Sequence, residues 1–268
     1  MFTLTPPNYY SREANQLYLS STQYKSFLSC EARALAELRG EYGQETSDAF
    51  LLGSYVHAWS DGTLEEFKNN HPELISSRGA TKGGLKSTFK IADKMIETLE
   101  NDEKAMFSLR GDKEVPVQGT IGGALWKGKL DVRNEKLNYI LDLKTTKDIN
   151  EFKWSKKLEK RVSFIELYDY FTQVAVYTEL EHQHFKTEQW KDFYMLAVSK
   201  QDVPDHELID ITDHDRVRQE LDIIASNVPH IVAVKNGEQE PHRCGVCDYC
   251  RSTKKIGKAV WYMDIKEN

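Results

Sequence analysis

The stretch from Trp126 to Thr146, WKGKLDVRNEKLNYILDLKTT, constrains the fold of this chain more than any other. It contains two short apolar-rich runs with the polar residues RNEKL between them, and this pattern predicts a β-hairpin. A turn centred between Lys136 and Leu137 pairs the two strands symmetrically. Asp131 of the first strand then lies directly opposite Asp142 of the second.

The two opposed aspartates need a partner of opposite charge. Directly opposed side chains in a sheet have Cβ atoms roughly 4.5–5.5 Å apart, and two carboxylates there repel each other unless a cation neutralises them. Strand alternation also places Ile140, Asp142 and Lys144 on one face, so an ammonium accompanies the carboxylate. An isolated Asp-x-Lys is common and usually belongs to a solvated strand. The facing Asp131 is what favours a divalent metal site suited to phosphodiester hydrolysis.

Two segments of this hairpin resemble the core motif of the PD-(D/E)xK nuclease superfamily: G-K-L-D, from Gly128 to Asp131, and L-D-L-K-T-T, from Leu141 to Thr146. Within the superfamily, the similarity is to the branch that contains the RecB and AddB nuclease domains and the phage or prophage RecE-type exonucleases. The resemblance implies an α/β fold, a restriction-endonuclease-like core with a central mixed β-sheet flanked by helices. The 268 residues suit one such domain that spans residues 1–268.

A helix predicted to begin near Ser47 carries Gly53 and His57 on one face, because the two residues are one turn apart. Glycine inside a helix costs roughly 0.5–1 kcal/mol relative to alanine, so its presence indicates close packing of the backbone. The segment G-S-Y-V-H-A resembles the G-x-x-x-H segment of RecB-like nucleases, whose histidine contributes to the metal site, although a lone histidine is more often an ordinary core or surface residue. Glu114, on a strand predicted over Lys113 to Gln118, is a weaker candidate for the same site. A solvent-facing glutamate is the alternative.

The helix predicted from Ile165 to Leu180 carries Gln173 and Tyr177 on one face, four residues apart. Their spacing resembles the Q-x-x-x-Y motif that follows D-x-K in the RecB-like branch, where this helix flanks the active site and contacts substrate. A glutamine and a tyrosine so placed more often only pack and hydrogen-bond. The shared order of the motifs, H, D, D-x-K and Q-x-x-x-Y, therefore supports the resemblance more than any one of them.

A basic segment follows the hairpin, from Lys144 to Arg161, and it contains Phe152 and Trp154 among its lysines. The whole chain has 36 basic and 42 acidic residues and a formal charge of −6, which is the wrong sign for DNA binding by bulk electrostatics. Local clustering must then supply any affinity for DNA. A stretch of this kind is usually a solvated face, but here its cations could contact phosphates while Trp154 stacks on an exposed base.

Three of the four cysteines, Cys244, Cys247 and Cys250, are spaced C-x2-C-x2-C. The N-terminal sequence has no apolar secretion segment and no run is long enough to span a bilayer, so the chain is predicted to be cytoplasmic and without a membrane partner. In a reducing compartment this spacing favours a metal ion or an iron–sulfur cluster over disulfides. Cys30, inside an amphipathic helix predicted from Ser20 to Leu38, would supply the fourth thiolate.

The four-cysteine arrangement resembles the iron–sulfur staple of AddB-type and CRISPR-adaptation nucleases, which uses one early and three late cysteines around the same core. The resemblance implies a [4Fe-4S] cluster that ties the N-terminal helix to the C-terminal segment. The last interval between cysteines is two residues here and longer in those families. A Zn²⁺ ion held by the four thiolates is therefore the alternative, and free thiols are the remaining one.

The resemblance further implies a Mg²⁺- or Mn²⁺-dependent exodeoxyribonuclease that acts 5′→3′ on double-stranded DNA ends in phage-type homologous recombination. Asp131 and Asp142 would hold the metal, together with His57 and the backbone carbonyl of Leu143. Lys144 would orient the attacking water and offset negative charge in the transition state.

Substrate contacts and partners follow from the same resemblance. Gln173, Tyr177 and Trp154 would position the DNA. RecE-like and phage exonucleases are commonly ring-shaped oligomers that act beside a single-strand annealing recombinase, which implies a homo-oligomer and that partner. Two alternatives stay open: a CRISPR-adaptation-like nuclease that trims single-stranded overhangs, and a non-catalytic DNA-binding module on a nuclease fold. The intact set of predicted metal and catalytic residues argues against the second.

Overall fold

The computed structural model of the protein describes residues 4–43, 47–77 and 82–264. A five-stranded mixed sheet lies at its centre and helices cover both of its faces, so the predicted fold class is confirmed. The strands are β1 (Asp112–Ile121), β2 (Ala124–Asn134), β3 (Tyr139–Thr146), β4 (Lys153–Ser155), β5 (Lys160–Val162), β6 (Asp192–Ser199) and β7 (His206–Asp210).

The sheet has the strand order β1-β2-β3-β6-β7. β1, β2 and β3 form an antiparallel meander, in which β2 and β3 are the predicted hairpin. β6 pairs parallel with β3, and β7 returns antiparallel to β6. β4 and β5 form a separate two-stranded hairpin within the connection from β3 to β6. β3 and β6 are therefore central strands, and most of their side chains are buried, as parallel pairing beneath a helical crossover requires.

The helices of the described residues are α1 (Arg12–Leu17), α2 (Ser21–Ser29), α3 (Glu31–Arg39), α4 (Asp48–Ser60), α5 (Leu64–Asn70), α6 (Ser87–Glu100), α7 (Glu103–Ser108), α8 (Phe164–Leu167), α9 (Tyr170–Phe185), α10 (His214–Asn236) and α11 (Asp248–Ser252). None of these helices combines the length and the apolar character needed to cross a lipid bilayer. α4 begins at the predicted place, because the Ser47 hydroxyl accepts a hydrogen bond of 3.2 Å from the Phe50 N–H and caps the helix.

Two hydrophobic cores lie on opposite faces of the sheet. On one face α2, α3, α9 and α10 pack around buried residues that include Phe27 and Trp126. On the other face α4, α6 and α7 pack around residues that include Phe89 and Leu141. Apolar burial stabilises the fold by roughly 25 cal/mol per Å² removed from water. The strands that carry the candidate site are thus held from both sides.

The helix predicted from Ser20 to Leu38 is interrupted at Cys30, so the expectation that this cysteine lies inside a helix is wrong. Its backbone is extended, with φ −165° and ψ 105°, and it separates α2 from α3. The N–H of Ala32, in the first turn of α3, donates to the His242 carbonyl at 3.1 Å. The C-terminal segment therefore satisfies a backbone donor that the break leaves without an intrahelical partner.

The helix predicted from Ile165 to Leu180 is divided into α8 and α9. The division lies at Asp169, whose φ of +53° is in the left-handed region. The Lys25 ammonium donates to the carbonyls of Tyr168 and Asp169, each at 3.2 Å, and so stabilises the break. A different helix, α10, contains Pro229. A proline predicts an interruption of the helix there, but α10 continues through it.

Candidate active site

The register of β2 and β3 is the one that the hairpin predicts. Val132 pairs with Leu141, and the next two pairs towards the turn keep that register. One further step away from the turn brings Asp131 opposite Asp142, but the backbone pairing stops short of this step. Instead, Asp131 Oδ2 accepts a hydrogen bond of 2.8 Å from the N–H of Leu143. The two strands thus separate at the aspartates, and a carboxylate takes the place of a backbone acceptor.

Glu114 of β1 completes a row of three acidic residues across the sheet. The pairs on either side show that Glu114 lies opposite Asp131, which in turn lies opposite Asp142. The pairing of β1 with β2 is interrupted at this step as well. Glu114 has a φ of +52°, a conformation that is sterically disfavoured for glutamate. Backbone strain of this kind persists where the surrounding structure enforces it, and it is concentrated at functional sites.

At this row, the side chains of β2 switch from one face of the sheet to the other. Leu130 packs in the core with α9, whereas Val132 packs in the core with α4. Regular alternation would put both on one face, because they are two residues apart. The irregularity is centred on Asp131, and it lets the carboxylate enter the gap between β2 and β3.

Three potential metal ligands from different elements converge at this row. The ligand atoms of His57, Glu114 and Asp131 all lie within 4.8 Å of one another, and His57 Nδ1 is 3.6 Å from Asp131 Oδ2. The Lys129 ammonium forms an ion pair with Glu114. Carboxylates suit Mg²⁺ and Mn²⁺, while imidazole is more usual on transition metals. Glu114, the weaker candidate from the sequence, therefore belongs to the group of side chains that could hold one ion.

Asp142 lies beside this group and makes different contacts. It is buried, with 2% of its surface exposed. Gln173 Nε2 donates to its Oδ1 at 2.8 Å, and Lys144 Nζ lies 2.7 Å from its Oδ2. The Lys144 ammonium is therefore the ionic partner of this buried oxygen. Asp142 lines the same cleft as His57, Glu114 and Asp131, and carboxylate oxygens are ligands that Mg²⁺ and Mn²⁺ prefer. The donor set therefore fits a divalent metal ion.

The charges of the site influence one another strongly. Burial raises the pKa of Asp142, the Lys144 ammonium opposes this shift, and Asp131 adds to it. Burial alone would lower the pKa of Lys144, but the carboxylates of Asp142 and Asp131 outweigh it and raise that pKa above its ordinary value. Lys144 is therefore an ammonium at neutral pH. The Tyr170 ring, with its centroid 5.2 Å from Nζ, stabilises the cation further.

Two glycines let the flanking helices approach the strands of the site. A Cβ atom on Gly128 of β2 would lie 3.0 Å from Cδ1 of Tyr177, and one on Gly53 of α4 would lie 3.3 Å from Oγ1 of Thr145. Both distances are shorter than ordinary van der Waals contact. Tyr177 thus explains the glycine of the G-K-L-D segment. The contact of α4 with β3 explains the glycine one turn before His57.

One open cleft of about 1050 Å³ connects these side chains. The predicted site residues that line it are His57, Glu114, Asp131, Asp142, Lys144, Gln173 and Tyr177. Trp154 is not among the residues that line the cleft, since it lies on β4 with 62% of its surface exposed. The structure therefore brings together the predicted metal and catalytic side chains, and it places the predicted stacking residue on a separate hairpin.

Three further residues of the site were not predicted from the sequence, namely Asp61, Lys129 and Tyr170. Asp61 lines the cleft at the end of α4, and burial raises its pKa to about 6, although His57 opposes the shift. The i, i+4 spacing of His57 and Asp61 is a signal that could have found this residue. The i, i+3 spacing of Tyr170 and Gln173 is the equivalent signal on α9.

The four predicted thiol ligands also come together, at a second place in the fold. Cys30 lies between α2 and α3, Cys244 and Cys247 precede α11, and Cys250 lies in α11. Their Sγ atoms are all within 4.8 Å of one another. None of the four lines the cleft.

Comparisons with known proteins agree with this fold. The family described as "PDDEXK-like domain of unknown function (DUF3799)" matches residues 20–253. The chain is similar to the crystal structure of a "Putative exonuclease" from Eubacterium rectale, with 36% sequence identity and a TM-score of 0.90 over 98% of each chain. The crystal structure of SSO0001 aligns at 15% identity over 85% of this chain and 91% of the other, but with a TM-score of 0.28 it carries no weight. No curated protein matches the sequence.

Proposed function

The chain belongs to the family of PDDEXK-like domains of unknown function (DUF3799), and on that premise we propose that it is a metal-dependent DNA exonuclease. The observation that supports this most strongly is the row of Glu114, Asp131 and Asp142, which shares one cleft with His57 and Lys144. The similar protein from Eubacterium rectale, described as a putative exonuclease, supports the same activity. The resemblance to the PD-(D/E)xK superfamily is confirmed by the family match.

The metal ion would be held by His57, Glu114 and Asp131, with the Asp142 carboxylate of the same cleft as a further ligand. The backbone carbonyl of Leu143 stays the predicted further ligand. When bound, Mg²⁺ or Mn²⁺ lowers the pKa of a coordinated water and polarises the scissile phosphate. The imidazole ligand favours Mn²⁺ as the tighter-binding of the two.

Lys144 would stabilise the negative charge that develops on the phosphate. Its raised pKa keeps it an ammonium, so it acts as a cation and not as the base that takes a proton from water. A cation that is already oriented in a mostly buried site needs no reorganisation when the charge develops. Gln173 holds the other oxygen of Asp142 and so fixes the carboxylate against which Lys144 is placed.

DNA would reach the site through the open cleft, which Gln173 and Tyr177 help to line. Trp154 and the lysines around it lie on the hairpin that directly follows the active-site strand, where they could contact a separated strand outside the cleft. Action 5′→3′ on double-stranded ends, a role in phage-type recombination, a homo-oligomer and an annealing recombinase as partner complete the proposal. These finer parts rest on the resemblance to RecE-type exonucleases.

The activity can be tested by digestion of end-labelled linear duplex DNA with Mg²⁺ or Mn²⁺. We expect wild type to degrade the DNA, and the rate to fall by about two orders of magnitude or more in Asp142→Ala and in Lys144→Ala. The matched controls are Asp222→Ala and Lys104→Ala, which remove exposed charges away from the cleft and should leave the rate unchanged. Equal activity in wild type and in both site variants would rule out the proposed centre.

The same assay with DNA substrates of different ends distinguishes the proposed exonuclease from the alternative functions. A covalently closed circular duplex should resist an exonuclease, and early release of a 5′ label but not of a 3′ label would establish 5′→3′ polarity. A strong preference for single-stranded overhangs over blunt ends would instead support the CRISPR-adaptation-like alternative. DNA binding without metal-dependent turnover would identify a non-catalytic module.

A further inference from the structure

The four thiols form a compact group at the junction of the N-terminal helices and the C-terminal segment. Cys30 Sγ is 3.6 Å from Cys250 Sγ, Cys244 Sγ is 4.0 Å from Cys250 Sγ, and all four sulfur atoms lie within 4.8 Å of one another. These separations are well above the roughly 2.05 Å of a disulfide bond, and the cysteines are free thiols.

The distances between the four sulfur atoms distinguish a single metal ion from an iron–sulfur cluster. Four thiolates arranged tetrahedrally around one zinc ion, each about 2.3 Å from it, lie about 3.8 Å from one another. A [4Fe-4S] cluster bonds each cysteine to a different iron atom, so its four ligands must stand further apart than those of one ion. The observed 3.6 Å and 4.0 Å agree with one ion. The cluster that the family resemblance implies does not fit between sulfurs this close.

The backbone around the thiols suits metal-bound sulfur. The N–H of Cys247 donates to Cys244 Sγ, and the N–H of Cys250 donates to Cys247 Sγ, each at 3.4 Å. Gly245, with a φ of +78°, forms the turn between the first two of these cysteines without side-chain strain. Hydrogen bonds of this kind stabilise negative charge on sulfur, and the thiolate is the form in which cysteine binds a metal.

Among the described residues, polar contacts and the ring pair of Tyr42 and Tyr249 also hold the segment that carries these cysteines. Glu31 accepts a hydrogen bond of 2.7 Å from the His242 N–H and contacts His230 of α10 at 2.7 Å. The apolar cluster at this place consists of the cysteines themselves with Ala32 and Tyr249. α11 has five residues, and a helix that short is not stable by itself in water. A bond to a metal would therefore contribute much of what keeps this segment folded.

We propose that the four thiolates bind one Zn²⁺ ion, which fastens α11 to the junction of α2 and α3. The ion would have a structural role, because the cysteines do not line the cleft. It would still support the cleft indirectly, since residues at the start of α2, among them Ser20 and Ser21, form part of its wall. The zinc site does not depend on the proposed nuclease function, and its test needs no assay of activity.

The metal content of the full-length chain tests the assignment directly. The protein should be purified without oxygen, so that an oxygen-sensitive cluster would survive, from cells supplied with both zinc and iron. Elemental analysis should find one zinc per chain at this site, with neither iron nor acid-labile sulfide, and the protein should be colourless. Stoichiometric iron, with or without sulfide, would overturn the proposal. So would a chain that carries no metal and reacts as four free thiols.

Cobalt substitution and one variant test which atoms hold the ion. In wild type loaded with Co²⁺ we expect the intense visible bands of a tetrahedral ion together with thiolate charge-transfer absorption, and the weak bands of octahedral cobalt would contradict the proposal. Cys250→Ser should release zinc to a chelator more readily than wild type and unfold at a lower temperature, whereas Ser252→Ala in the same helix should do neither. Equal zinc retention in Cys250→Ser would overturn the role of that thiol. If this variant does not fold, the cobalt spectrum of wild type still decides.

Discussion

The Asp131 carboxylate accepts a hydrogen bond of 2.8 Å from the N–H of Leu143, across the gap where β2 and β3 separate. A side chain therefore occupies a position that backbone pairing would fill in a regular sheet. One oxygen of Asp131 is engaged by the backbone, and the side chain stays 13% exposed. The carboxylate is thus held in place by the strands themselves before any metal binds, which is the support that a preorganised site requires.

Replacing Asp131 by asparagine should show what its negative charge contributes to metal binding, apart from what its hydrogen bond contributes to stability. The amide keeps an acceptor oxygen for the Leu143 N–H, and it removes a negative charge that faces Asp142. We expect Asp131→Asn to be as stable as wild type or slightly more stable in EDTA. Its affinity for Mn²⁺, measured by calorimetry, should fall by about 10–100-fold or more. Asp222→Asn on the surface of α10 is the control, and an unchanged Mn²⁺ affinity in Asp131→Asn would contradict this role.

Glu114 should show opposite effects on stability and on metal binding. Its φ of +52° is costly for glutamate and cheap for glycine, so Glu114→Gly should raise the free energy of unfolding by about 1 kcal/mol. The same change removes a carboxylate from the group formed with His57 and Asp131, so Mn²⁺ affinity and DNA hydrolysis should fall. Glu114→Gln keeps the strain and should lower only the metal affinity. If Glu114→Gly lost stability and kept its activity, the glutamate would be structural.

Gly128→Ala should disturb the helix that carries Gln173 and Tyr177. The added Cβ would meet the Tyr177 ring at 3.0 Å, and overpacking of this kind typically costs about 1–3 kcal/mol of stability. Since Gln173 on the same helix orients Asp142, the rate of DNA hydrolysis should fall as well. Gly43→Ala is the matched control, because a Cβ there meets nothing within 4 Å. Urea denaturation of both variants checks the prediction, and equal stabilities would contradict it.

Asp61 should make the metal-free protein less stable as the pH rises. Burial raises its folded-state pKa to about 6 from an ordinary value of 3.8, so the folded state binds this proton more tightly than the unfolded state. The contribution to stability is full below the lower pKa and is lost as the pH rises through the higher one. Asp61→Asn removes this dependence. In EDTA, the variant should match wild type at about pH 4 and exceed its stability at about pH 7.

Urea denaturation across that range measures the difference between Asp61→Asn and wild type. Asp222→Asn, which makes the same substitution at an exposed carboxylate outside the cleft, is the control. A constant difference for Asp61→Asn, or a wild type that gains stability relative to it as the pH rises, would show that the carboxyl is not perturbed in this way.

The hairpin could be predicted closely, because a side-chain period of two and a central turn determine which residues face each other. The approximate arrangement of His57 and Gln173 followed as well, since both lie on helices with a clear face. The sequence marked Glu114 only as a weaker candidate, and its approach to Asp131 and His57 could not be predicted. It depends on a left-handed φ and on the local loss of pairing between β1 and β2, and neither leaves a periodic signal in the sequence.

The contacts of Asp142 and the backbone conformation of Cys30 also could not be predicted from the sequence. The sequence indicated two aspartates around one cation, whereas in the structure Asp142 contacts Lys144 and Gln173, and Glu114 joins Asp131 and His57. Helical periodicity continued through Cys30, and it could not reveal the extended residue that turns the thiol towards the C-terminal segment. Both features arise from contacts between segments that are distant along the chain.

Anomalous diffraction from crystals that contain Mn²⁺ shows whether the acidic row of Glu114, Asp131 and Asp142 binds a metal ion. We predict one strong anomalous-difference peak for a Mn²⁺ ion that is bound by Asp131 and by Glu114 or His57. Asp142 Oδ2 should be a further ligand of this ion. Crystals that bind Mn²⁺ only elsewhere, or that leave the carboxylates of Asp131 and Asp142 without metal at millimolar Mn²⁺, would contradict the proposed active site.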